Sequence, residues 1–182
     1  MFTDNFIAYT KAFWLGSTQS MKDINNTSFT IRTGSVDFSN GFGTCMKQGQ
    51  CKEFVTSQST LANNSSGVFF GSGSTPASKA DVALEAPITT GLSIINPSNI
   101  VQDSSEAGKY EYSATFTVNN TTSDEINIYE IGLFMPMPKS TSLGYCVLME
   151  RTVLTEPITL KAGQTKIITY KVTFNQTLNV EA

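Results

Sequence analysis

At 182 residues, with a formal net charge of −3, a pI near 4.9 and 15% charged residues, the chain is long enough for one domain with a proper core. It is also too acidic, and too poor in basic runs, for a nucleic-acid-binding face. It contains no histidine, which excludes Ser-His-Asp and Cys-His catalysis and any His-containing zinc site.

Carboxylate-pair and lysine chemistry remain open on composition alone. No apolar run reaches membrane-spanning length, and residues 1–5 lack the basic start of a signal peptide, so the expectation is a soluble chain not exported by that route. The three cysteines, Cys45, Cys51 and Cys146, are too few for a four-thiolate zinc site and none stands in a Cys-x-x-Cys pair. No metal or cofactor is expected.

In chain order, the first element is a helix from Thr3 to Leu15. Asp4 can cap it, Phe2, Phe6, Tyr9, Phe13 and Trp14 fall near one face at helical spacing, and Gly16-Ser17-Thr18 ends it. Such a stripe is usually core, which favours a helix covering one end of a sheet with Trp14 as its plug. The alternative is an arm, residues 1–20, that docks into a neighbouring subunit through Phe2, Phe6, Phe13 and Trp14, ahead of a sandwich domain at 21–182.

Short strands separated by turns follow from Ile24 to Phe54, including Phe29–Thr33 and Val36–Phe38. Cys45 and Cys51 flank the tip of a small hairpin and could face each other; a reducing compartment argues for free thiols, and spacing leaves the matter open. Cys146, in an apolar strand, reads as a small buried hydrophobe. The polar stretch Thr56–Ser66 has the composition of a mobile loop.

Val68-Phe69-Phe70 then runs into Gly71-Ser72-Gly73-Ser74-Thr75-Pro76-Ala77-Ser78. A phosphate-binding loop would need a Gly-Lys-Ser/Thr ending, which is missing. Gly71 and Gly73 are expected to supply backbone angles closed to other residues. Ser78 and Asp81 form a capping pair for a short helix at Lys79–Glu85, anchored by Leu84.

Tyr110, Tyr112, Ala114, Phe116 and Val118 alternate with polar residues in a half-buried strand, and Ile168, Tyr170, Val172 and Phe174 do the same in the last one. Between them lies Asn127–Met135, apolar on both faces, hence a central strand or one at a subunit interface presenting Tyr129 and Leu133. Glu130 sits in its midst, where a carboxylate is costly unless paired. Folding the chain about the turn-rich residues 136–144 brings Glu130 opposite residue 150 or 151 and makes Arg151 its partner. Glu156–Leu160, with Pro157, reads as an edge strand or a strand start. The whole is expected to be an antiparallel β-sandwich with a short N-terminal helix.

The order Val-Phe-Phe-Gly-Ser-Gly-Ser-Thr-Pro-Ala-Ser-Lys-Ala-Asp-Val-Ala-Leu-Glu (68–85), Ile-Tyr-Glu-Ile-Gly-Leu-Phe (128–134), Leu-Met-Glu-Arg-Thr-Val-Leu (148–154) and Ala-Gly-Gln-Thr (162–165) resembles the tail-collar fibre proteins and related tail and fibre components of tailed bacteriophages. In that family a Gly-x-Gly-Thr-x-x-Pro…Asp-x-x-Leu element precedes a Glu-Ile/Val-Gly-Leu-Phe strand. The resemblance covers about residues 66–175; residues 1–65 fall outside it, and the shaft and receptor-binding tip that often follow such modules are not seen before Ala182.

It implies a non-enzymatic virion protein, made in the bacterial host cytoplasm, that joins tail, collar, portal-proximal or capsid proteins and copies of itself, without nucleic acid or membrane. Gly71, Gly73, Asp81, Glu130 and Arg151 would then be structural. A capsid-decorating or head-fibre protein would look similar. A carbohydrate-binding module is the rival from another class, disfavoured because most tyrosines face inward and Trp14 lies in the helix. A hydrolase would have to recruit Glu130 and Asp81, which already have partners.

Overall fold

The computed structural model describes residues 1–15, 17–31, 67–95, 100–103, 109–137 and 145–175. Cys45, Cys51, the hairpin between them, the strand at Val36–Phe38 and the loop at Thr56–Ser66 lie outside the described residues. The elements in order are α1 (Asp4–Leu15), β1 (Gln19–Lys22), β2 (Ser28–Ile31), β3 (Gly67–Gly71), β4 (Leu92–Ile95), β5 (Ile100–Asp103), β6 (Lys109–Asn120), β7 (Ile126–Met137), β8 (Tyr145–Leu160) and β9 (Thr165–Asn175). All described strand pairs are antiparallel, so the fold is all-β with one short N-terminal helix.

The first sheet has the order β3-β7-β8, which places the two-sided apolar strand in the centre. In the second, β9 pairs with β6 from Lys109 to Asn119, and β4 and β5 lie end to end on β6's other edge. Alternation on β6 and β9 turns Ala114, Phe116, Val118, Ile168, Tyr170 and Val172 inward. They meet Val68, Phe70, Ile131, Leu133 and Met149 of the first sheet in one core, with Phe70 edge-on to Phe116 at 6.2 Å. Each valine, leucine, isoleucine, phenylalanine or methionine among them stabilises the fold by about 1.5–3 kcal/mol through burial.

The helix belongs to this same core. Ala8, Tyr9 and Ala12 are buried in it, and Phe2 and Phe6 stack on each other at 4.1 Å and against Phe174 of β9 at 5.6 and 6.1 Å. Backbone bonds from Thr3 N to Met149 O and from Arg151 N to Met1 O lay residues 1–3 along the edge of β8. The segment is thus packed on its own chain, and the side chains of Phe13 and Trp14 lie outside the described residues.

Two irregularities in the β7–β8 pairing correct the simple alternation. Ile128 faces Ile158 but Glu130 faces Val153, so residues 154–157 of β8 stand against Tyr129 alone. Pro157, which lacks an amide to give the ladder, falls in this break, and β8 continues through it as one strand to Leu160. The break changes the phase of β7: Ile126 and Ile128 pack with the same core as Ile131, Leu133 and Met135. Leu133, 1% exposed, is core and offers nothing to an interface; Tyr129 is half-buried. The second irregularity lets Met149 bulge between the pairs Leu133–Glu150 and Phe134–Leu148.

Candidate functional site

The change of phase leaves Glu130, Gly132 and Phe134 on the face of β7 turned away from the main core. There, Phe134 packs with Leu84, Cys146 and Leu148 in a second, smaller cluster. Over this face runs residues 72–86, a strap whose neck is closed by Ser72 N donating to Ala86 O at 2.8 Å and by a bridge between Gly71 and Pro87.

Glu130, fully buried, holds the strap down. Its Oε1 accepts hydrogen bonds from the amides of Gly73 (3.2 Å) and Ala86 (2.8 Å), and its Oε2 accepts from the amide of Glu85 (3.1 Å) and from Arg151 Nε (2.8 Å). Arg151 faces Gly132 in the register and is therefore Glu130's diagonal neighbour, two residues from the expected position. An even displacement keeps both side chains on one face, so the ion pair forms despite the shifted register. The expected ion pair and the bonds from three strap amides coexist on one carboxylate.

Arg151 also reaches the strap directly, with Nη1 at 2.8 Å from Asp81 Oδ2 and Nη2 at 3.4 Å from Glu85 Oε2. Burial opposes its charge, but hydrogen bonds to Asp81 and Glu130 and their negative charges outweigh it and raise its pKa above the ordinary guanidinium value. Glu85 accepts from Thr75 Oγ1 at 2.6 Å and Thr75 N at 2.8 Å, and these bonds hold its carboxyl below the usual range.

The reciprocal Ser78–Asp81 contact exists, with Ser78 N donating to Asp81 Oδ2 at 2.8 Å and Asp81 N to Ser78 O at 3.1 Å. It closes a turn and not the expected helix at 79–85. The reason lies in competition: the amides of Glu85 and Ala86 are taken by Glu130, which leaves them unable to bond the preceding helical carbonyls. Lys79 O instead accepts from Asp4 N at 2.8 Å, tying the strap to the start of α1.

The glycines also act differently from expectation. Gly71 and Gly73 are not among the glycines with positive φ, which among the described residues are Gly67, Gly91 and Gly163. A Cβ on Gly71 would collide with Glu130 Oε1, and one on Gly73 would lie 2.5 Å from Glu85 Cβ and 2.7 Å from Glu130 Oε1. Close approach of backbone to carboxylate is what requires glycine here. Gly132 has the same role beneath Leu84, whose Cδ2 would lie 2.8 Å from its Cβ.

A second buried acid carried no signal in the sequence. Glu150, 7% exposed, accepts from Tyr170 Oη at 2.6 Å, from Thr152 Oγ1 at 2.5 Å and from the amine of Met1 at 2.6 Å. It links the two sheets across their interior. Burial, then the Glu150 charge, raises the Tyr170 pKa far above the phenolic range. Beside it lies a small cavity of about 180 Å³ lined by Phe2, Tyr170, Lys171 and Thr173.

Chemically, the Glu130 cluster is closed. Both oxygens of Glu130 are occupied and the side chain is out of contact with solvent, so it cannot meet a substrate without the strap leaving. Among the described residues no group of three or more acidic or thiol side chains is placed to hold a metal ion, and no helix is long and apolar enough to cross a membrane. Comparisons with protein-family models, with curated proteins and with solved structures each return no match.

Proposed function

We propose that the chain is a non-enzymatic structural protein of a tailed-bacteriophage virion, a tail, collar or fibre-attachment component that joins other virion proteins and copies of itself. One observation carries this reading. Three of the four stretches that resemble the tail-collar fibre proteins, 68–85, 128–134 and 148–154, converge at one point in space. There Gly71, Gly73, Asp81, Leu84, Glu130 and Arg151 form a clamp that shapes a strap and leaves no group of Glu130 free for chemistry. The resembling residues therefore have a common structural purpose in this chain, as an architectural module requires. That Glu130 and Asp81 are consumed in the clamp also speaks against a hydrolase built on them.

The test is quantitative mass spectrometry of gradient-purified virions from cells that express the chain, followed by separation of tails from heads. A fixed copy number per particle that stays with the tails supports the proposal. A fixed number that stays with the heads replaces it with a capsid-decorating role. Recovery only in the particle-free lysate overturns it.

A further inference from the structure

We infer that the free edge of β9 pairs, antiparallel and about a two-fold axis, with the same edge of a second copy of this chain. The inference deepens the self-association within the proposed function and does not depend on the virion setting.

The hydrogen-bond parity identifies the edge. Asn120 N donates to Gln164 O directly opposite, so even-numbered residues of β6 and β9 turn their amides and carbonyls to each other. Thr121 N donates to Gly91 O, and the odd-numbered residues of β6 serve β4 and β5. On β9 the backbone groups of the odd-numbered residues, Thr165 through Asn175, therefore point outward, and no described strand pairs with them. Other edges differ. That of β3 carries the bridge from Gly71 to Pro87, and that of β8 carries residues 1–3 and the amide of Ile24 on Cys146 O.

Natural edges of this length are normally guarded by proline, bulges or lysine. β9 has eleven residues, unbroken register with β6, and neither proline nor glycine. Of its two lysines, Lys171 is drawn back over its own sheet to Glu111 at 2.7 Å. Ile167 is 73% exposed on the outer face, an apolar side chain with no cover from its own sheet.

The occupant follows from self-complementarity. An antiparallel copy in which all eleven residues are paired must be centred on Tyr170, placing Thr165 opposite the partner's Asn175. In that register Ile168 meets the partner's Val172, and Tyr170 meets its own copy, so the buried rows of the two second sheets run on as one. On the outer face Thr169 lies opposite the partner's Lys171 and Ile167 opposite the partner's Thr173. Neither lysine faces a lysine, the arrangement that would repel. The full-length register is thus also the one that charge and hydrophobicity permit.

Sedimentation velocity on the full chain across a concentration series tests this, with three variants. Wild type should form a dimer. Ile167→Pro removes only an outward amide, which edge strands tolerate, and should give a monomer with an unchanged cooperative melt. Thr169→Lys sets lysine against lysine at two symmetric positions, whereas Thr169→Glu sets glutamate against lysine. These should move the dimer dissociation constant in opposite directions by roughly two- to thirtyfold. Opposite shifts cannot come from a folding defect. A wild-type monomer throughout, or an oligomer indifferent to all three changes, overturns the inference.

Discussion

At the scale of residues, Glu130 and Arg151 are unequal members of one cluster. Removing Glu130's charge with Glu130→Gln leaves Arg151 two other carboxylates, Asp81 and Glu85. Removing Arg151 leaves three carboxylates together with no other cation paired to them among the described residues, one of them fully buried. Arg151→Met should therefore cost about 3–5 kcal/mol and Glu130→Gln clearly less, with the double variant below the sum of the two. Urea denaturation of the four chains measures this, and additive losses would mean the two side chains do not interact. For the strap glycines, Gly73→Ala should destabilise by about 1–3 kcal/mol through collision and not through backbone angle. Glu130→Gln should fail to rescue it, because glutamine keeps the same heavy-atom shape and Glu85 Cβ still stands 2.5 Å from the new methyl. Full rescue would show that charge, and not collision, makes the conflict.

Among the elements, much was legible and the remainder has identifiable causes. Strands β6 and β9 announce themselves because one face is core and the other solvent, which imposes strict alternation. The central strand was visible from its two apolar faces, but its phase was not. An extra run of residues 154–157 on a neighbouring strand shifts the pairing without leaving any mark in β7's own sequence. The strap was recognisable as a loop, whereas its false helix came from weighing Ser78 and Asp81 locally. The amides of Glu85 and Ala86 are claimed by Glu130, 45 and 44 positions away, and the side chains of Asp81 and Glu85 by Arg151, 70 and 66 positions away. Glu150 was missed because its partner Tyr170 sits in the other sheet, and one-strand patterns carry no information about facing sheets.

Turns have their own buried anchor, equally invisible to periodicity. Asn120, fully buried, donates to the carbonyls of Asp124 (2.7 Å), Leu160 (3.0 Å) and Lys161 (3.2 Å), while its Oδ1 accepts from Thr122 N at 2.9 Å. It thereby fastens the β6–β7 turn to the end of β8. Asn120→Ala should cost about 1–3 kcal/mol for each buried group left unpaired. Asn120→Asp should cost more at pH 7, since a carboxylate would then face three carbonyl oxygens. A smaller loss in the aspartate variant, by thermal unfolding, would place the amide's donors elsewhere.

For the whole molecule, the Tyr170–Glu150 bond joins the sheets and sets an alkaline limit on stability. The folded-state pKa of Tyr170 is raised, so its contribution is intact below the unfolded value of about 10 and declines as pH rises beyond it. Wild type should lose melting temperature between pH 9 and pH 11, and Tyr170→Phe should lose less over that interval while starting lower. Equal losses would exclude Tyr170 as the group responsible. On the acid side, Glu85 has the opposite sign. Its lowered pKa means a contribution present above the unfolded value of about 4.3 and lost as pH falls through the folded one.

The clamp on the strap also dictates an order of events in time. Glu130 draws its partners from positions 57, 45, 44 and 21 residues away, on both sides of it in the chain. The bond to Arg151 needs β7 beside β8 and the three amide bonds need the segment after β3 laid over β7, so the complete clamp is expected to be a late contact on the folding route. Contacts absent from the transition state govern escape from the native state and not entry to it. Arg151→Met should accordingly speed unfolding by most of its stability loss and leave the refolding rate nearly unaltered in stopped-flow chevrons. The strap would then act as a latch: it decides how long a molecule, once folded, stays so.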